Sequence, residues 1–141
     1  MLDHEKVGAY HRSLELLDVA DEILEAAKLK AHLRSQLDRA ATSVVLNIAE
    51  GAGEFSPREK QRFYRMARRS TSECAALFDI LRRRKAVSEE LLAVAHERAR
   101  IVISSLVRLI QATERRARDG SSPAGAGADA EASADAAATS P

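Results

Sequence analysis

Apolar residues recur at every third or fourth position through most of the first 118 residues, which is the spacing of one face of an α-helix. The clearest stretch runs from residue 37 to residue 52 and carries two organised faces. Its apolar face holds Leu37, Ala41, Val44, Val45, Ile48 and Ala52. Its polar face holds Arg39, Ser43, Asn47 and Glu50, with Leu46 alone among them. We expect such a helix to contact its own fold on one side and something else on the other.

The same spacing predicts four helices, at about residues 5–30, 32–52, 57–84 and 88–118. Ser56 is a predicted N-cap, because Pro57 follows at the first helical position and Glu59 lies three residues after the cap. Gly51 and Gly53 are expected to close helix two in the left-handed conformation. Four long helices with short connections predict an all-α fold, an antiparallel up-down-up-down four-helix bundle over residues 1–118.

Helices three and four differ in the width of their apolar faces. The predicted core side of helix three consists of Phe63, Met66, Ala67, Ser70, Cys74, Leu77, Phe78 and Leu81. Helix four has a central apolar band from Leu91 to Ile110, flanked by Val94 and Ile101 on one side and by Ile103 and Val107 on the other. This arc is broader than one core needs, so the helix is either deeply buried or also meets another subunit.

Charge divides the chain into a basic body and an acidic tail. All 22 lysines and arginines lie in residues 1–118, whereas four of the 21 acids lie in residues 119–141. The body therefore has a net charge of about +5. The tail is rich in Ala, Gly and Ser, has almost nothing to form a core, and is expected to be disordered.

Composition indicates a cytoplasmic protein. The single cysteine excludes an intramolecular disulfide and fits a reducing compartment. No run of about 18 apolar residues is present, so no membrane span or membrane partner is expected. The N-terminus lacks a signal-peptide pattern.

No constellation of residues suggests catalysis. The four histidines share no ligand spacing with one another or with Cys74, so we expect no metal and no cofactor. Gly51-Ala52-Gly53 lacks the later glycine and the preceding strand of a dinucleotide loop. No carboxylate pair or Ser/His/Asp set stands out. The sequence therefore predicts a non-enzymatic protein.

The strongest candidate for a binding surface is basic. Four arginines fall within a narrow arc of helix three: Arg58, Arg62, Arg65 and Arg69. Four stacked cations repel one another, and the phosphates of RNA or DNA would relieve that repulsion through salt-sensitive contacts that do not read sequence. The alternative is a solvated face, or one that is neutralised within an oligomer.

A second candidate is contact between copies of the chain. Helix one carries an acidic line, Glu15, Asp18, Glu22 and Glu25, which could dock on the basic line of another copy and close a ring. Alternatively, these acids pair within their own bundle or face water. We expect Ser43, Asn47 and Glu50 to hydrogen-bond across helices or subunits, and Glu73 to pair with a nearby arginine. Leu46 would add apolar area to a subunit contact.

Two blocks resemble a known family. Residues 39–51, Arg-Ala-Ala-Thr-Ser-Val-Val-Leu-Asn-Ile-Ala-Glu-Gly, are similar to the signature of the small bacterial proteins of the 23S rRNA intervening sequence. Residues 63–73, which end in Ser-Thr-Ser-Glu, resemble that family's second signature. The similarity spans roughly residues 5–115. Many relatives have Pro in place of Val45 and Gly in place of Arg69, so helix two should be straighter here and packing near Arg69 should differ.

The resemblance implies an antiparallel four-helix bundle that assembles into a ring, typically a homopentamer, without implying a catalytic activity. The family name suggests a link to RNA. A structurally similar accessory protein of diversity-generating retroelements works with reverse transcriptase, so a nucleic-acid-processing protein is a further expected partner. The competing hypothesis is a pure interaction scaffold, in which the arginines pair with helix-one acids of the neighbouring subunit.

Overall fold

The computed structural model describes residues 1–120, in which four long α-helices pack around one apolar core. A short 3-10 helix, Asp3–Lys6, precedes α1 (Gly8–Ala26), α2 (Ala31–Gly53), α3 (Pro57–Arg83) and α4 (Glu89–Asp119). This part of the chain contains no strand. The predictions of an all-α protein and of four helices are therefore confirmed. The predicted disordered tail was residues 119–141: Asp119 is instead the last residue of α4, and residues 121–141 lie outside the described residues.

The starts of α3 and α4 are fixed by serine caps. The Ser56 hydroxyl accepts a hydrogen bond from the Glu59 backbone N–H at 3.4 Å, and Pro57 occupies the first helical position. The Ser88 hydroxyl accepts from the Leu91 backbone N–H at 3.2 Å. Both caps satisfy backbone donors that the first helical turn leaves unpaired.

The end of α1 depends on a side chain from the next helix. Arg34 donates to the carbonyl oxygens of Leu24 at 2.9 Å and Ala27 at 3.3 Å. Neither glycine nor proline marks this boundary, and the prediction placed it four residues too late, near Lys30. A guanidinium from α2 thus satisfies carbonyls that a C-terminal glycine motif would otherwise serve.

Each helix packs against two others. α1 and α3 both pack against α2 and α4. Along the α2–α3 seam, Ser43 contacts Ser70, and further along α2 the backbone of Gly51 lies against Phe63 and Tyr64. Along the α3–α4 seam, Asp79 lies 3.1 Å from His96. Arg65, which comes earlier in α3, lies 3.5 Å from Glu114, which comes later in α4.

The buried face of α3 matches the prediction only in part. Ala67 and the second half, Cys74 to Leu81, lie in the core as expected. In the first half, however, Met66 is 37 % exposed, and Phe63 and Ser70 are only half-buried. The residues buried there instead are Gln61, Tyr64, Arg65 and Thr71. The buried strip is not the most apolar strip, because polar side chains find partners within it: the Thr71 hydroxyl donates to the Ala67 carbonyl oxygen at 2.8 Å.

α4 contributes one continuous core face and leaves its flanks accessible. Six residues of the predicted central band are buried: Leu92, Ala95, Ala99, Val102, Leu106 and Ile110. The flanking Ile101, Ile103 and Val107 are half-buried, and Val94 is exposed. None of the helices within residues 1–120 combines the length and apolarity that a membrane span requires.

The prediction that glycines in the left-handed conformation end α2 is wrong. Gly51 and Gly53 are both helical, and no glycine of the described residues has a positive φ. The Lys60 ammonium instead donates to the carbonyl oxygens of Gly51 at 3.2 Å and Ala52 at 3.0 Å, so the exposed carbonyls at the end of α2 are satisfied by a side chain of α3.

Candidate nucleic-acid interface

Three of the four predicted arginines form an exposed stripe on α3. Arg58, Arg62 and Arg69, here called the basic α3 face, are all exposed and lie on one side of the helix. The helical rise separates the first two by about 6 Å and the last two by about 10 Å along the axis. This arrangement presents positive charge over three turns.

Arg62 is held in place by two neighbours on its own helix. Its guanidinium lies 3.0 Å from the Glu59 carboxylate. Its Cζ atom also lies 4.5 Å from the centroid of the Phe63 ring, within the range of a cation–π contact. An exposed pair of this kind contributes little to stability, so the guanidinium can exchange Glu59 for another anion at small cost.

Arg65 does not belong to the basic α3 face, which corrects the prediction. The residue is 8 % exposed, and its guanidinium lies 3.5 Å from the Glu114 carboxylate on α4. The helical arc alone could not separate Arg65 from its neighbours, because only the position of α4 decides which edge of the arc is covered. Its charge is used inside the protein, where it joins α3 to α4.

The C-terminal end of α4 adds a cation that sequence reasoning did not connect to this region. Burial lowers the pKa of Lys60, and the nearby positive charge of Arg116 lowers it further. The neighbouring Arg115 and Arg118 are also exposed. The signal was present in the order of the helices, since in the predicted bundle the end of helix four lies beside the start of helix three.

Ser43 makes a polar contact with α3 and also accepts hydrogen bonds from Asn47 of its own helix. The Asn47 side-chain amide donates to the Ser43 carbonyl and hydroxyl oxygens, each at 2.9 Å, and Ser70 donates to the Ser43 hydroxyl oxygen at 3.0 Å. Ser43 thus makes a hydrogen bond between helices within one chain. Ser70, which the prediction placed in the core, is its partner.

The other predicted motif residues differ in exposure. Leu46 is 58 % exposed on α2, as its place among polar residues suggests, and Glu50 is exposed one turn further on. Gly51 is buried against Tyr64. Glu73 is exposed, and in the described chain it has no arginine within ion-pair distance, so the expected pair is not formed.

An acidic surface lies on α1, a helix that does not pack against α3. Asp18, Glu22 and Glu25, here called the acidic α1 face, are exposed. Glu15, the fourth member of the predicted line, is 3.1 Å from Arg12 of the same helix. Burial raises the pKa of the adjacent Asp21, and the negative charges of Asp38, Asp18 and Glu25 raise it further. Acidic groups of α1 and α2 therefore repel one another here.

The described residues contain one buried thiol and no cluster of metal ligands. Across residues 1–120, no group of three or more His, Cys, Asp or Glu side chains is arranged to hold a metal ion. Cys74 is fully buried in the core, and burial raises the pKa of its thiol to about 12. A thiol with such a pKa is almost entirely protonated at neutral pH and is a poor nucleophile.

The described residues define an all-α, four-helix protein with a basic stripe on one helix and an acidic stripe on another. The family model of the 23S rRNA-intervening sequence protein matches residues 5–108, and the chain belongs to this family. The resemblance expected from residues 39–51 and 63–73 is thereby confirmed. The family's name suggests an RNA-related role. No curated protein matches the chain.

Proposed function

We propose that this protein is a non-enzymatic, homo-oligomeric four-helix bundle that binds nucleic acid, RNA or DNA, through its basic α3 face. The observation that carries the proposal is the exposure of Arg58, Arg62 and Arg69 on one side of α3. Membership of a family named for an rRNA intervening sequence supports a nucleic-acid ligand, and RNA in particular.

Binding would proceed by replacement of weak surface contacts with phosphate contacts. A phosphate oxygen can displace the Glu59 carboxylate from the Arg62 guanidinium. The guanidinium itself stays oriented over the Phe63 ring. Arg69 can accept a second phosphate further along the helix. Such contacts position a nucleic-acid backbone without reading its bases, and each one adds to the salt dependence of binding.

We further propose an antiparallel arrangement of the four helices and assembly of the bundles into a ring. The antiparallel order is supported by the seam contacts, which run from Ser43–Ser70 to Gly51–Tyr64 as α2 advances and α3 recedes. Assembly is supported by Leu46, which leaves an apolar side chain 58 % exposed on α2. A homopentamer is the number that the family resemblance implies.

We propose that the protein needs no cofactor and acts in the cytoplasm, with a nucleic-acid-processing protein as a partner. The inert environment of Cys74 fits a structural thiol rather than a nucleophile. A reducing compartment suits a chain with one cysteine.

Fluorescence anisotropy of labelled RNA and duplex DNA, titrated with protein across a range of salt, tests the proposal. Wild-type protein should bind at micromolar concentration or tighter, and affinity should fall steeply with salt. The double variant Arg62→Glu with Arg69→Glu should make the negative slope of log affinity against log salt shallower by about 1.5, the contribution of two phosphate contacts. Absence of wild-type binding at low salt, with protein folded and oligomeric, would refute the proposal.

A control variant separates local contacts from net charge. Arg12→Glu with Arg100→Glu makes the same change in charge on α1 and α4, and each arginine is paired with a glutamate three residues away, as Arg62 is. This variant should keep most of the wild-type affinity. If both double variants lose affinity equally, the overall charge of the protein, and not the basic α3 face, governs binding.

A protein-interaction scaffold is the second candidate function. It is favoured by the acidic α1 face, which could pair with the basic α3 face of a neighbouring subunit. Salt distinguishes the two candidates. If arginine–carboxylate pairs hold subunits together, high salt should lower the mass measured by light scattering. If the arginines face solvent, the mass of the oligomer should stay unchanged at a salt concentration that releases nucleic acid.

A further inference from the structure

One aromatic side chain lies outside the fold. Of the three phenylalanines, Phe78 is fully buried and Phe63 is half-buried, whereas Phe55, in the α2–α3 connection, is 99 % exposed. No other large apolar side chain in residues 1–120 is as exposed. The ring contributes almost nothing to the core, so its place on the surface calls for another explanation.

The connection that carries Phe55 is fixed on both sides. The Glu54 backbone N–H donates to the Gly51 carbonyl oxygen at 3.2 Å, and the Ser56 carbonyl oxygen accepts from the Lys60 backbone N–H at 2.9 Å. Pro57 follows directly, with a restricted φ. The backbone around Phe55 is therefore pinned to the ends of α2 and α3, and the ring projects from a rigid support.

Positive charge and a second aromatic ring follow Phe55 in the first two turns of α3. Arg58 lies three positions after Phe55, so their Cα atoms are at most about 11 Å apart. Arg62 lies one helical turn beyond Arg58 and is stacked over Phe63 at 4.5 Å. An exposed aromatic ring next to arginines that can hold phosphates is the combination by which proteins bind single strands, because unpaired bases stack on aromatic rings and on guanidinium planes.

We propose that Phe55 is a base-stacking platform and that the preferred ligand of the basic α3 face is single-stranded nucleic acid. This inference rests on the proposed nucleic-acid function and narrows its ligand class. An unpaired base stacks on the Phe55 ring while the adjoining phosphates contact Arg58 and Arg62. In a duplex the bases already stack on one another, so their faces are closed to Phe55 and only the phosphate contacts remain.

The test compares wild type with Phe55→Ala on a short fluorescein-labelled RNA, presented as a single strand and as a duplex with its complement. Loss of one stacked base should weaken single-strand binding about tenfold, and duplex binding should change less than twofold. Val94→Ala is the matched control, because Val94 is an exposed apolar residue on α4. It should bind both ligands as wild type does.

A second variant reports stacking without relying on affinity. The chain contains no tryptophan, so Phe55→Trp introduces a single indole fluorophore at this position. Its emission should be quenched by unlabelled single-stranded RNA and be nearly unchanged by the duplex. Binding within about twofold of wild type would show that the larger ring replaces the phenyl group.

The outcomes separate this inference from the proposed function. If wild type binds single strands and Phe55→Ala binds them equally well, the stacking platform is refuted while the nucleic-acid function stands. If wild type binds neither ligand, both fall. If Phe55→Ala lowers the mass of the oligomer measured by light scattering, the ring is covered by a second copy of the chain, and the stacking role is again refuted.

Discussion

Gly51 and Tyr64 fit together only because residue 51 has no side chain. A β-carbon at this position would lie 2.6 Å from Cε1 and 2.9 Å from Cδ1 of the tyrosine ring, well inside normal contact distance. The ring is itself buried between helices and cannot easily move aside. The α2–α3 contact at this end of the protein therefore depends on a glycine within a helix, where glycine is otherwise unfavourable.

Gly51→Ala should destabilise the protein. Alanine would gain about 1 kcal/mol in helix propensity, but overpacking against Tyr64 should outweigh it and leave a net loss of about 1–2 kcal/mol in the free energy of unfolding. Urea denaturation followed by circular dichroism measures this change. Gly53→Ala is the control, because nothing lies within 4 Å of a β-carbon there. Equal effects of the two substitutions would contradict the steric explanation.

Arg65→Gln should lower stability and leave nucleic-acid affinity within about twofold of wild type. The substitution removes the partner of Glu114, and since that carboxylate is partly exposed the loss should be about 1–2 kcal/mol. Arg69→Gln should behave in the opposite way, with a change in stability below about 0.5 kcal/mol and weaker binding. Urea denaturation and anisotropy on the same two variants check both expectations. If Arg65→Gln bound nucleic acid more weakly without any loss of stability, Arg65 would be part of the nucleic-acid interface after all.

Cys74 should be unreactive in the folded protein. Its pKa of about 12 results from burial first and from the negative charge of Glu73 second, so very little thiolate exists at about pH 8. Modification by a disulfide reagent should be slow in buffer and rapid in guanidinium chloride, with one thiol released per chain. Fast reaction in buffer, at a rate equal to that of the unfolded chain, would show that this part of the core opens readily.

Asp21→Asn should stabilise the protein at neutral pH. The pKa of Asp21 is raised in the folded state by burial and by Asp38, Asp18 and Glu25, so the folded protein holds this proton more tightly than the unfolded chain. Stability therefore falls as pH rises from the unfolded pKa, about 3.9, through the folded pKa, and the full penalty is present above it. The melting temperature of Asp21→Asn should exceed that of wild type at about pH 7, and the difference should vanish below about pH 3.9.

A substitution of opposite sign serves as the control for Asp21. Asp79 lies 3.9 Å from the Arg82 guanidinium, so its negative charge is attracted and not repelled. Asp79→Asn should lower the melting temperature slightly at neutral pH. If both substitutions raised it, a general effect of removing acids would replace the local explanation for Asp21.

Sequence patterns predicted the elements well where the signal was local. The Ser56 cap with Pro57 and Glu59 depends on residues within one turn, so its geometry can be derived without knowing the rest of the fold. The second half of α3 was placed correctly because Leu77, Phe78 and Leu81 leave one apolar face to bury.

Patterns were insufficient where the decisive partner is distant in the chain. Lys60 and Arg34 close helices other than their own, and nothing within three or four residues of either indicates which carbonyls they reach. Arg65 shares a helical arc with Arg62 and Arg69. Its guanidinium is nevertheless paired with Glu114 of α4, which lies 49 positions later in the chain. Long cationic side chains are the hardest to place, because their apolar stems tolerate burial while their charged ends need a partner.

The last turns of α4 continue the core beyond the region that the family model matches. The family match ends at residue 108, but Ile110 and Thr113 are buried and Glu114 holds Arg65. A protein trimmed to the matched region would expose apolar surface at one end and leave the Arg65 guanidinium without its counter-ion. The packed core therefore continues past residue 108, and a protein trimmed to the matched region should be less stable than one that keeps all of α4.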